Sequence, residues 1–235
     1  MLRSRALRLL LPLGFLLAGG TANTAPPAVE DTMAQRVLAC TVCHGKEGRA
    51  APDGFYPRIA GKPAGYLFNQ LMAFRDGRRP YAPMTNLIDP LSPEYLREIA
   101  EHFADLELPY PVPPPSKADP ATLARGRRLA TEGDPARKLP ACAACHGSAL
   151  TGVQPATPGL LGLPADYVNA QLGAWRTGER RAVAPDCMKQ VADALAPDDV
   201  AALAQWLAAQ PVPAAARAVA SLPSTPPLQC GSLVR

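Results

Sequence analysis

Cys40-Thr41-Val42-Cys43-His44-Gly45 returns 102 residues later as Cys142-Ala143-Ala144-Cys145-His146-Gly147. The likeness continues beyond these six residues. Pro57-Arg58-Ile59-Ala60-Gly61 is matched by Pro158-Gly159-Leu160-Leu161-Gly162 at an offset of 101. At the same offset Tyr66-Leu67-Phe68-Asn69-Gln70-Leu71-Met72-Ala73-Phe74-Arg75-Asp76-Gly77 is matched by Tyr167-Val168-Asn169-Ala170-Gln171-Leu172-Gly173-Ala174-Trp175-Arg176-Thr177-Gly178. Met84 then falls on Met188 at an offset of 104, with Leu91, Pro93, Leu96 and Ile99 on Leu195, Pro197, Val200 and Leu203. The offset drifts as small loop insertions would make it drift, so the chain is one unit written twice.

Between the copies runs Pro109-Tyr110-Pro111-Val112-Pro113-Pro114-Pro115-Ser116, which cannot be helical and reads as a semi-rigid linker at 109–118. The expected organisation is a first domain at 31–108, a second at 119–210 and a tail at 211–235. Proline makes up 28 of the 235 residues, more than twice average usage, and the excess lies between segments and in the tail. Helix starts are predicted at Pro63, Ser92-Pro93-Glu94, Asp119-Pro120, Pro164 and Pro197. Tyr66, Leu67, Gln70, Leu71 and Phe74 carry the spacing of an amphipathic helix. With no convincing alternating strand pattern, the predicted class is all-α: two tandem helical domains joined by a Pro-rich linker.

A Cys-x-x-Cys-His string is the attachment motif for c-type haem, in which two thiols add to the vinyl groups and the adjacent histidine binds the iron. Two such strings in register predict two covalently bound haem c groups, on Cys40 and Cys43 and on Cys142 and Cys145, with His44 and His146 as proximal ligands. Zinc is the competing reading, but it needs four N or S donors, and no repeated fourth one follows either motif. A redox-active thiol pair expects a βαβ setting that is missing. For the remaining axial position only two methionines repeat: Met84 and Met188, lying 40 and 42 residues after His44 and His146. A thioether donor suits electron transfer because it favours the reduced iron. The bland alternative makes both of them core gap-fillers.

Arg3, Arg5 and Arg8 precede an apolar run at 9–18 and a small-residue stretch ending near Ala25, the pattern of a signal peptide at 1–25. The run is short for a membrane span, although an uncleaved anchor is the alternative. Export points to the periplasm in a bacterial setting. The chain has 24 Lys+Arg against 20 Asp+Glu, and three of these basic residues lie in the export segment. The rest is close to neutral, which gives no electrostatic case for nucleic acid.

Over about residues 31–210 the chain resembles cytochrome c4, a diheme family among the class I c-type cytochromes. The resemblance rests on both CxxCHG motifs, the Pro-x-x-x-Gly after each, the Tyr-x-x-x-Gln-Leu-x-x-Phe/Trp-Arg-x-Gly helices, and each methionine followed by a Leu-Ser/Ala-Pro helix start. It implies two small helical cytochrome domains with facing haems. It also implies an electron carrier working between redox proteins such as a quinol-oxidising complex and a terminal oxidase, with loose membrane association compatible. The alternative is the cytochrome subunit of a periplasmic dehydrogenase or sulfur-oxidising complex. A peroxidase-like enzyme needs an open iron, and two aligned methionines argue against it.

Cys187 and Cys230 remain outside the motifs. In an oxidising compartment a Cys187–Cys230 disulfide would pin the tail across the Met188 loop, at about 4 kcal/mol on the chain-entropy account. Two unpaired thiols, or Cys187 taking the place of Met188, are the alternatives. Arg75 and Arg176, at the ends of equivalent helices, are candidates for pairing with haem propionates or for simple helix-terminal cations.

Overall fold

The computed structural model describes residues 30–51, 53–214 and 216–233. The export segment expected at 1–25 lies outside them. The first repeat contains α1 (Met33–Arg36), α2 (Leu38–His44), α3 (Ala64–Arg75), α4 (Ala82–Ile88) and α5 (Pro93–Asp105). The second contains α6 (Pro120–Thr131), α7 (Ala143–His146), α8 (Ala165–Thr177), α9 (Cys187–Ala194) and α10 (Pro197–Ala209). The fold is helical, as predicted. Among the described residues, no helix is long and apolar enough to cross a membrane.

Local chemistry starts and stops these helices. Pro93, Pro120 and Pro197 occupy first-turn positions, where their missing N–H is no loss. Ser92 Oγ accepts the Tyr95 N–H at 3.2 Å, and Asp119 Oδ1 accepts that of Thr122 at 2.9 Å. Asp186 caps α9 in the same way, accepting the Lys189 N–H at 3.0 Å. Gly178, left-handed at φ 79°, ends α8.

Each repeat builds its own core from the same positions. Leu67, Leu96, Ile99 and Phe103 are buried in one cluster, and their counterparts Val168, Val200, Leu203 and Leu207 in another. In the second half, α6 crosses α10 backbone to backbone. A Cβ on Gly126 would stand 2.2 Å from the Ala202 carbonyl oxygen, so only glycine permits this approach.

One small feature departs from the all-helical expectation. β1 (Gly152–Val153) and β2 (Thr157–Pro158) form an antiparallel pair in which Gly152 faces Pro158 and Val153 faces Thr157. Two residues per strand are too few to leave an alternating pattern in the sequence. Val153 also bridges in parallel to Val219, which brings the tail alongside.

Asp199 ties the second half together. It is fully buried and accepts hydrogen bonds from Arg125 Nε at 2.7 Å, Arg137 Nη1 at 2.6 Å and the Ala196 N–H at 2.9 Å. It thereby joins α10 to α6 and to the turn that leads into Cys142. Burial raises its pKa, but the bonds from Arg137, the Ala196 amide and Arg125 outweigh burial and hold the carboxyl below the usual range. Asp199→Asn is therefore expected to cost about 2 kcal/mol at neutral pH, because both guanidiniums keep part of their hydration. A depressed folded pKa contributes stability above the unfolded value near 4 and loses it as pH falls through the folded value. Urea melts of the two proteins should therefore draw together as pH falls below 4; a gap that stays constant with pH would contradict the assignment.

Candidate functional site

α2 carries Cys40, Cys43 and His44, while Cys142 caps the N-terminus of α7, which carries Cys145 and His146. The three-residue spacing places the two cysteines of each motif side by side on a helical turn, with the histidine next in line. Gly45 must follow the first motif: at φ 75° it turns the chain so tightly that a Cβ would meet the Ala50 carbonyl oxygen at 2.3 Å.

Both histidines are buried, each 8% exposed. His44 Nδ1 donates to the Pro57 carbonyl at 2.8 Å, and His146 Nδ1 to the Pro158 carbonyl at 2.7 Å. A carbonyl can only accept, so the proton is fixed on Nδ1 and the Nε2 lone pair is left for a metal. Burial lowers both imidazole pKa values, with the proline carbonyls opposing and Arg79 or Lys62 adding to the effect. Both rings are thus neutral at pH 7, the state a ligand requires.

Met84 lies on α4 and Met188 on α9, each packed at the margin of its half's core. All eight residues, namely Cys40, Cys43, His44, Met84, Cys142, Cys145, His146 and Met188, line one continuous cavity of about 1490 Å³. That exceeds the roughly 300–1,000 Å³ of a usual single-ligand site. Burial pushes the Cys142 thiol up to about 11 and raises Cys40 and Cys145. Among the described residues, no group of three or more His, Cys, Asp or Glu could hold an ion.

The polar part of the cavity repeats with the sequence. Gln70 Oε1 accepts from Arg79 Nη1 at 3.1 Å and from Arg180 Nη2 at 2.8 Å. Gln171 Oε1 accepts from Arg79 Nη2 at 2.8 Å and from Arg180 Nη1 at 2.5 Å. Each guanidinium also lies over the aromatic ring five residues before it, Arg79 at 4.6 Å from the Phe74 centroid and Arg180 at 3.8 Å from that of Trp175. Burial, then repulsion from Arg79, lowers the Arg180 pKa. The hydrogen-bond acceptors of both cations are neutral oxygens, from Gln70, Gln171 and Tyr167.

Arg75 and Arg176 do not line the cavity. Arg75 turns back to the Leu91 carbonyl at 3.1 Å, and Arg176, in the last turn of its helix, is exposed. Of the cations that do line it, Arg79 and Arg180, four residues further on in each repeat, make the paired contacts with Gln70 and Gln171. The signal for them was present, since the offset of 101 that joins Gly77 to Gly178 also joins Arg79 to Arg180.

Haem fits this donor set. Trp175 Nε1 is buried in the cavity wall without a hydrogen-bond partner, beside two cations that lack an anion among their hydrogen-bond acceptors. Haem propionates are carboxylates and would supply both needs. The apolar remainder of the wall suits the macrocycle.

Residues 123–210 match the Cytochrome c family. The chain is 36% identical over 189 residues to the thiosulfate dehydrogenase electron acceptor of Thiomonas intermedia (strain K12), covering 79% of this chain and 86% of that protein. It is 34% identical over 172 residues to cytochrome c4 of Pseudomonas aeruginosa, covering 72% and 83%. Among solved structures, a thiosulfate dehydrogenase from Marichromatium purpuratum superposes with a TM-score of 0.67 at 34% identity, over 76% of this chain and 40% of that one. The likeness thus spans less than half of that larger chain. These relationships carry two covalently bound haem c groups over to this protein, on the two Cys-x-x-Cys motifs.

A buried cation beside an iron favours the reduced state, because reduction adds negative charge. Arg180→Gln is expected to leave both haems attached and to lower the reduction potential by a few tens of mV, where 59 mV is a tenfold change. Spectroelectrochemical titration reads this directly, and an unchanged potential would place the guanidinium outside the field of either iron.

Proposed function

The chain belongs to the cytochrome c4 family, and on that premise we propose that Cys40 and Cys43, and Cys142 and Cys145, hold the two haems through thioether bonds. His44 with Met84, and His146 with Met188, are the axial donors to the two irons. The domains run from 31 to 108 and from 119 to 210. The observation that carries this reading is the repeated geometry: all eight residues line one cavity, and both histidines are oriented by a proline carbonyl.

The protein is an electron carrier rather than an enzyme. When bound, haem c supplies an iron that gains and loses one electron. The polypeptide does the rest. The Pro57 and Pro158 carbonyls hold each imidazole in one tautomer, so the ligand field does not change with a proton. The methionines supply soft donors that favour the reduced iron. Apolar walls limit water, and with it the solvent reorganisation that accompanies each electron.

The donor we infer is a periplasmic dehydrogenase that oxidises thiosulfate. Two observations support it: the 36% identity to an electron acceptor of thiosulfate dehydrogenase, and the fold shared with part of a solved thiosulfate dehydrogenase. The identity to cytochrome c4 supports a second reading, a carrier between a quinol-oxidising complex and a terminal oxidase. The leader-like segment and the Cys187–Cys230 pair support export to the periplasm. Mixing the oxidised holoprotein with a purified thiosulfate dehydrogenase and thiosulfate should give full reduction of both haems within seconds, followed by visible absorbance. Reduction by a quinol-oxidising complex and none by the dehydrogenase would favour the second reading.

A further inference from the structure

Among the described residues, the second half carries a segment, 219–233, that has no counterpart in the first. Beyond α10 the chain runs back along the second half. Val219 accepts the Gln154 N–H at 2.8 Å and donates to the Gly152 carbonyl at 3.0 Å. Residues 220–226 then form part of the cavity wall, as do Leu228, Cys230, Ser232 and Leu233.

The far end of the segment is fastened beside Met188. Cys230 is joined by a disulfide to Cys187, the residue before Met188, and the Gly231 N–H donates to the Pro185 carbonyl at 2.9 Å. A Cβ on Gly231 would meet the Ala184 carbonyl oxygen at 2.1 Å, so the tail backbone lies directly on the loop that precedes α9. Ser232 ties the segment to both halves: its Oγ accepts the Val183 N–H at 3.3 Å, and its carbonyl accepts from Asn69 Nδ2 at 2.9 Å.

On the first half, two apolar side chains of the cavity wall are exposed: Phe55 at 63% and Leu87, three residues after Met84, at 39%. By the repeat offsets their counterparts are Ala156 and Val191. Both counterparts are smaller, and Ala156 is buried while Val191 is half-buried.

We propose that the tail, residues 219–233, is a disulfide-pinned cover over the Met188 side of the second haem site, which leaves the first site as the accessible one. This rests on the reading of Met84 and Met188 as axial donors. A closed cover lowers the apparent rate of any process that needs the site open by the fraction of time it is open. The Cys187–Cys230 bond keeps that fraction small, since the tail cannot leave while its end is tethered next to the ligand.

Imidazole association with the oxidised holoprotein reads access to one iron at a time. Met84→Ala and Met188→Ala each free one iron, and stopped-flow absorbance follows the ligand. Imidazole is expected to bind Met188→Ala about tenfold more slowly than Met84→Ala. Ending the chain after residue 214, with Cys187→Ser, should bring the Met188→Ala rate up to that of Met84→Ala and leave the latter unmoved. Should the shortened chain fail to retain both haems, the full-length Cys187→Ser/Cys230→Ser pair in the Met188→Ala background provides the same comparison. Equal rates in the two single variants, or a slow rate that survives release of the tail, would overturn the cover. An unchanged visible spectrum in Met188→Ala would instead overturn the ligand assignment on which it rests.

Discussion

Two arginines shared across the repeat hold the site in register. Each glutamine oxygen takes one hydrogen bond from the arginine of its own half and one from that of the other, so neither half can shift without breaking bonds in both. The arrangement satisfies the glutamines but leaves two cations facing neutral oxygens in an apolar cavity. Such a cluster is favourable only with anions nearby, because an uncompensated buried charge is among the costlier features a fold can carry. Haem propionates would meet that need, and the same charges would then bias the irons towards the reduced state. A single network thus ties the two halves together and would also serve cofactor retention and electron affinity.

Much of the candidate site was legible in the sequence because duplication makes its positions repeat. Cys40, Cys43 and His44 could be read from one motif, but Met84 and Met188 stood out only because they align. The helix starts at Pro93, Pro120 and Pro197 were equally readable, since proline and a cap act locally. The remainder depends on contacts between distant segments. Nothing near Arg79 announces that its bonds reach Tyr167 and Gln171, and nothing near Asn69 points to Ser232. The proline carbonyls that fix the histidine tautomers were visible only as part of a repeated Pro-x-x-x-Gly string whose chemistry the string does not state.

The two halves have diverged in how firmly they are tied. Asp199, which fastens three segments of the second half, has Tyr95 as its counterpart by the repeat offset. Tyr95 receives Arg36 over its ring at 5.8 Å, a weaker contact than two charged hydrogen bonds. The first half opens with two short helices and an exposed apolar rim, whereas the second has the longer α6 and the tail. Such divergence after duplication is what allows the proposed cover to sit on one haem site and not on the other.

The central claim is that each half holds a covalent haem whose iron is bound by histidine and methionine. Visible spectra of the purified protein, oxidised and reduced, with haem counted per chain, test it most directly. The account predicts two haems, low-spin in both states, with the weak sulfur-to-iron band at the red end of the oxidised spectrum. One haem per chain, or a high-spin iron that takes up carbon monoxide or peroxide, would contradict it.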